Sequence, residues 1–292
     1  MKTAKIKYLC AMTLFGTIGI FVRYIPLSSA AIAFFRGALG CAYLIFVMLL
    51  GRKKPDTAAI RRNFTLLLLS GAAIGFNWIL LFEGYKYTTV ATATVCYYLA
   101  PLLLLLASPL LGEQITPKKL LCVCVALLGL TLVSGITENG ITSLAELKGI
   151  VLSVGAAALY ATGMFLNKKL SPIGVYDKTL LQLGSATVVV FPYILLTEGF
   201  AIPRLQPFPL ILLLTVGILH TGIAYSLSLG SIHILSAQTI GIFSYLDPVI
   251  AVLLSALLLK EPMSPANIVG TVLILGSALY SELSVKEQKN AS

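Results

Sequence analysis

The sequence predicts an all-α integral membrane protein, with ten transmembrane helices arranged as two inverted-topology five-helix repeats. Three observations predict it. The 292 residues are 58% hydrophobic and only 11% charged, whereas a soluble domain carries roughly 25% charged residues. Mean hydropathy is +0.95, and apolar runs of membrane-span length recur from end to end. The third observation is a near-copy of one stretch in another. Ala91-Thr92, Tyr98-Leu99-Ala100-Pro101 and Gly112-Glu113-Gln114-Ile115-Thr116-Pro117 are echoed by Ala237-Gln238, Tyr245-Leu246-Asp247-Pro248 and Lys260-Glu261-Pro262-Met263-Ser264-Pro265. Tyr98 pairs with Tyr245 and Pro101 with Pro248, both about 147 residues on. A repeat of that length marks a duplicated membrane module.

A span needs roughly 20 apolar residues. Ten stretches qualify: 7–23, 30–50, 64–83, 90–111, 118–136, 149–167, 178–197, 208–229, 235–259 and 266–283. The first has features of a leader, with Lys2, Lys5 and Lys7 before an apolar run and Ser28-Ser29-Ala30-Ala31 after it. The repeat argues for its retention. Ala11 and Gly16 align with Ala158 and Gly163, so this stretch completes a five-span half. Residues 1–140 form the first half and 141–292 the second, within one integral unit.

Positive charge sets the orientation. With the N-terminus inside, the inner segments collect Lys2, Lys5, Lys7, Arg52-Lys53-Lys54, Arg61-Arg62, Lys118-Lys119, Lys168-Lys169, Lys178, Lys286 and Lys289. The outer segments hold only Arg23, Lys86, Lys148, Arg204 and Lys260. The bias predicts a cell-membrane protein with both termini cytoplasmic. Because each half has an odd number of spans, the second enters the membrane in the opposite sense. Glu113 then lies at the inner surface and its counterpart Glu261 at the outer one. Inverted repeats favour alternating access around a site between the halves.

Other classes fit poorly. The net charge of +10 sits in loops between apolar runs, so it signals topology and not nucleic acid. Cys10, Cys41, Cys96, Cys122 and Cys124 all lie in apolar runs and read as small core residues. Only His220 and His233 are available as imidazole ligands, and neither has metal-ligand spacing with acids or cysteines. No P-loop is visible. Neither an enzyme nor a metal or cofactor is expected; the bilayer and a small molecule are the expected partners.

Two halves, each ending in Tyr-Leu-x-Pro, an apolar run, Glu and Thr/Ser-Pro, resemble the drug/metabolite transporter superfamily, EamA type. The resemblance covers essentially the whole chain. It implies a central cavity between the halves that moves small metabolites, amino acids or drugs. Lys260-Glu261-Pro262 departs from the more typical Gly-Glu of Gly112-Glu113. A narrower resemblance, in length, opening residues and aromatic positions, is to the bacterial choline permeases of this superfamily. It implies import of choline.

Several residues are candidates for the site. Pro101 and Pro248 each remove a backbone bond inside a span, to the carbonyls of Tyr97 and Ser244, which suits a water-filled cavity. Trp78 aligns with Tyr225, and with Tyr98 and Tyr245 it makes two symmetry-related aromatic pairs near the membrane middle. Aromatic faces attract quaternary ammonium groups, although ordinary packing explains any one of them alone. Tyr97, Tyr160, Gln238 and Asn77 are further candidates. Asp247, about halfway along the ninth span, is a counter-ion for a cationic substrate or a proton carrier, against the plainer reading of a protonated acid bonded to a tyrosine or a freed carbonyl. Glu83, at the outer end of the third span, is a second anionic site or a loop acid.

Arg36 is expected to be structural, bonded to carbonyls or an acid, as members of the resembled family have a basic residue there. His220 is expected to be structural rather than a proton shuttle. Glu113 and Glu261 precede Ser/Thr-Pro helix starts and are expected to tie down the fifth and tenth spans. The function expected is a secondary transporter importing a small organic cation, choline foremost, coupled to protons through Asp247 and Glu83. The alternative is an exporter of amino acids, metabolites or drugs, for which Arg36 or the tyrosine hydroxyls serve a zwitterion. One acid cannot hold proton and cation together, so symport needs Glu83 as well, whereas Asp247 alone makes an antiporter.

Overall fold

A computed structural model describes residues 2–111, 117–133, 143–198, 205–232, 235, 243–244 and 246–290. Among them the regular structure is helical throughout. In chain order the helices are α1 Lys2–Arg23, α2 Ser29–Leu50, α3 Thr57–Tyr87, α4 Val90–Tyr97, α5 Ala100–Leu106, α6 Pro117–Val133, α7 Leu144–Lys168, α8 Val175–Thr197, α9 Pro207–Thr215, α10 Ala224–Ile232, α11 Leu246–Leu258 and α12 Pro265–Asn290. A π-helical stretch, Val216–Ile223, joins α9 to α10 without a break. Six helices are long and apolar enough to cross a membrane, and four shorter apolar ones run over Val90–Leu104, Leu120–Val133, Leu246–Leu258 and Pro265–Ser277. Each of the ten expected stretches overlaps one of these.

Local chemistry sets the helix ends. Ser28 accepts from the Ala31 amide, Asp56 from Ala59 and Thr89 from Thr92, each an N-cap. Ser264 accepts from the Asn267 amide ahead of Pro265, the first residue of α12, as the Ser-Pro pair predicts. Pro101 breaks the fourth expected span as anticipated: α4 stops at Tyr97 and α5 starts at Ala100.

The outer surface of the bundle is apolar, and its interior, itself largely apolar, also holds most of the polar side chains of the spans. Leu49, Leu196, Val188 and Leu257 are exposed, Leu196 to 87%, while Arg36, Asn63, Asn77, Ser153 and Ser255 are buried. That distribution suits a protein solvated by lipid. With no hydrophobic drive between helices in lipid, close approach by small residues holds them together. A Cβ on Gly270 would stand 2.6 Å from the Gly129 carbonyl, and one on Gly129 would stand 2.7 Å from the Gly270 carbonyl, so α6 and α12 meet backbone to backbone.

Packing runs mainly between the two halves of the chain. Helix α3 packs on α7 and α8, α1 on α10 and α11, α2 on α8 and the π-helix, α4 on α7 and α11, and α6 on α12.

At one end of the bundle a polar cluster crosses between halves. The Glu261 Oε2 atom accepts from the Val90 amide at 2.8 Å, at the start of α4, and also from the Ser255 hydroxyl. Arg23 lies 3.6 Å from Glu261 Oε1 and donates to the carbonyls of Tyr85 and Thr88. This corrects the expectation for Glu261. It ties down the start of α4 in the other half, while Ser264 caps α12. Glu113 lies outside the described residues. Lys260, just before Glu261, has φ = 52°, the left-handed region that disfavours a side chain. Gly112, the residue aligned with Lys260 in the sequence, lies outside the described residues.

Candidate functional site

Between the halves lies a cavity of about 330 Å³. Its walls come from α1, α2, α3, α4, α5, α7, α10 and α11. On α3, Trp78, Phe82 and Tyr85 recur at helical spacing and share one face. Tyr8, Met12, Phe15 and Gly19 do the same on α1, and all of these line the cavity. The approach of α1 to α11 is close: a Cβ on Gly16 would stand 2.6 Å from the Asp247 carbonyl.

Asp247 and Arg36 face this space from opposite halves of the chain. Tyr98 donates its hydroxyl to Asp247 Oδ2 at 2.6 Å. Among the described residues no cation forms an ion pair with Asp247. Arg36 is buried, with 5% of its surface exposed. Its guanidinium carbon lies 4.2 Å from the centre of the Trp78 ring and 5.6 Å from that of Phe82. Its Nε donates to the Thr221 hydroxyl at 2.8 Å. The expected carbonyl or acid partner is therefore a hydroxyl. Thr221 is set by the π-helix, where it donates to the Val216 carbonyl five residues back at 2.9 Å. Single π turns inside α-helices recur at functional sites.

Other candidates fall in and out of this group. Tyr98, Tyr225, Tyr97, Tyr160 and Trp78 line the cavity. Tyr225 meets Phe15 edge to face at 5.3 Å, and Tyr97 leans on Tyr160 at 5.3 Å. Asn77 stands behind the wall and donates to the Ala156 carbonyl at 2.6 Å. Tyr245 and Gln238 lie outside the described residues, as does His233. Glu83 is not among the lining residues. It accepts from the buried Ser29 at 2.7 Å and from the exposed Lys86 at 2.8 Å near the end of α3. His220 is fully buried between the Thr17 hydroxyl at 2.8 Å and the Thr215 carbonyl at 3.2 Å, against the Phe21 ring. It too is absent from the lining.

Sequence reasoning missed Tyr8, Phe82, Tyr85, Thr94 and Thr221. The 3–4 spacing from Trp78 marks Phe82 and Tyr85. Tyr8 touches Ser244 at 2.9 Å across 236 positions, and Thr221 meets Arg36 across 185; no local pattern reports either.

The EamA-like transporter family matches residues 4–135 and again 147–281. The chain belongs to this family. It is 34% identical over 255 residues to an uncharacterized transporter, YxxF, of Bacillus subtilis, covering 86% of this chain and 80% of that one. It is 24% identical to the threonine/homoserine exporter RhtA of Escherichia coli K12, over 76% of this chain and 72% of the relative. A solved crystal structure aligns over 100% of both chains with a TM-score of 0.66 at 19% identity, which shows the fold alone. The protein is thus a multi-span membrane transporter of the drug/metabolite superfamily.

Proposed function

We propose that this EamA-family chain is a secondary transporter that exchanges a proton for a small ammonium-bearing metabolite, with Asp247 receiving each in turn. The observation that carries the reading is the charge inventory of the cavity. Among its described lining residues Asp247 is the only carboxyl, it has no cation partner, and Tyr98 orients it. One carboxyl holds a proton or an ammonium but not both, which suits exchange. Symport would need a second acid beside the substrate, and Glu83 is engaged with Ser29 and Lys86 instead. With protons flowing inward, exchange carries the metabolite out, so the exporter alternative gains over import. The packing pairs keep their pattern when the halves are swapped: α3 on α7 corresponds to α1 on α10, and α1 on α11 to α4 on α7. That pattern supports two inverted repeats and alternating access.

The choline reading loses one wall of its cage. The Trp78 face already carries Arg36 at 4.2 Å, and a second cation there meets a like charge. Tyr98, Tyr225 and Tyr97 still offer aromatic surface to an ammonium. The relative named a threonine/homoserine exporter supports amino-acid-like cargo. The test is counterflow in proteoliposomes, with labelled amino acids in one set and labelled choline in another. The parent is expected to exchange amino acids and Asp247→Asn to lose that exchange. Exchange of choline alone, or an Asp247→Asn variant as fast as the parent, contradicts the proposal.

A further inference from the structure

The buried His220 lies between Thr17 and Thr215, Glu83 is held by Ser29 and Lys86, and the Glu261 carboxylate has Val90, Ser255 and Arg23 as partners. Arg36 is less completely partnered. A guanidinium has five N–H donors in a planar fork. Thr221 takes the one on Nε, and no described residue accepts from Nη1 or Nη2. The buried side-chain atoms sealed away without a partner are Thr88 Oγ1 and Glu261 Oε1, so the Arg36 terminal nitrogens are instead open to the cavity that Arg36 lines. A buried guanidinium with four N–H donors facing a cavity is an incomplete arrangement, since a charge taken from water needs a partner of opposite sign.

We infer that the Nη1–Nη2 edge of Arg36 is the carboxylate-binding element of the transport site, and that the substrate is zwitterionic, an amino acid or a close analogue. This rests on the ammonium reading of Asp247 and deepens it. The cavity carries one cation and one acid, on α2 and α11, that face the same space without pairing with each other. A molecule with an ammonium at one end and a carboxylate at the other answers both. The guanidinium is held over the Trp78 ring at 4.2 Å and by the Nε bond to Thr221, and the Nη1–Nη2 edge that matches a carboxylate in a bidentate pair has no described acceptor. Lysine supplies the charge but not the fork. The volume, about 330 Å³, is at the small end of ligand pockets, which run roughly 300–1,000 Å³.

The experiment is a thermal-stability screen of the purified full-length protein in nanodiscs. It uses three matched series: the standard L-amino acids with homoserine, their methyl esters and their N-acetyl derivatives. The esters keep the ammonium and lose the carboxylate; the N-acetyl series does the reverse. At least one amino acid should stabilise the parent, with its ester weaker by about tenfold or more in apparent affinity, the range for one lost charge-assisted contact. Arg36→Lys should erase that preference. The comparison of acid with ester is made on the parent, so it stands even where an Arg36 variant folds poorly. Esters that bind as tightly as the acids overturn the inference and leave the ammonium reading intact. N-acetyl derivatives that bind as tightly as the acids overturn the ammonium reading and leave the carboxylate contact. Failure of every amino acid to bind overturns both.

Discussion

The Arg36 guanidinium lies 4.2 Å from the centre of the Trp78 ring. This makes the chain's one tryptophan the platform of a resident cation. Such contacts contribute roughly 0.5–2 kcal/mol, more when desolvated. Trp78→Ala should therefore weaken amino acid binding by about that much through a looser Arg36, and Trp78→Phe should lose less. Titration of both variants by isothermal calorimetry checks it. Equal affinity in parent and Trp78→Ala would show that the ring does not position the guanidinium.

Thr221 offers a second handle on the same group. It accepts from Arg36 Nε while donating to the Val216 carbonyl. Thr221→Val removes both bonds at nearly constant shape. Losing one partner of a charged group costs about 1.5–3 kcal/mol. The expected result is lower affinity for amino acids with little change for their methyl esters. A uniform loss for both series would indicate a general distortion of the π-helix.

Glu261 joins the halves at the end of the bundle expected to face outward. Glu261→Gln weakens its hold on Arg23 and on the start of α4. A ligand or mutation shifts a two-state equilibrium by its differential interaction with the two states, so this variant should populate forms open at that end. The readout is a cysteine at Thr88, in an otherwise cysteine-free chain, reacting with a membrane-impermeant thiol reagent added outside. Its labelling should be faster in Glu261→Gln. An unchanged rate means that the cluster is not part of a gate.

Lys260 sits at φ = 52°, and a left-handed non-glycine residue costs roughly 1–2 kcal/mol. Lys260→Gly should raise the thermal midpoint slightly, since relief of strain offsets the extra freedom of the unfolded chain. A clear drop would show that the Lys260 side chain makes a contact worth more than the strain.

Much of this architecture is legible in the sequence because membranes simplify the problem. Span length and hydropathy mark ten apolar stretches, and each overlaps an apolar helix. The break between Tyr97 and Ala100 follows from Pro101. Asp247 stands out because a carboxyl in an apolar run needs a reason. What sequence does not carry is pairing across the chain. Glu261 precedes a helix start, so local reasoning assigns it there, yet its acceptor oxygen meets Val90, 171 positions away. Glu83 and Asp247 look alike as acids in spans, and only packing separates the one beside Lys86 from the one in the cavity. Arg36 reads as structural until its partners are known; a hydroxyl and an aromatic face leave most of its donors unused.

The central claim, exchange of a proton for an ammonium at Asp247, is tested most directly by counting protons. Proteoliposomes carrying a lumenal pH dye, with voltage clamped, are given an amino acid that stabilises the protein. The parent should move protons opposite to the substrate at a fixed ratio, and Asp247→Asn should move none. Substrate flux with no proton movement in the parent, or the same proton-to-substrate ratio in Asp247→Asn, would contradict the account.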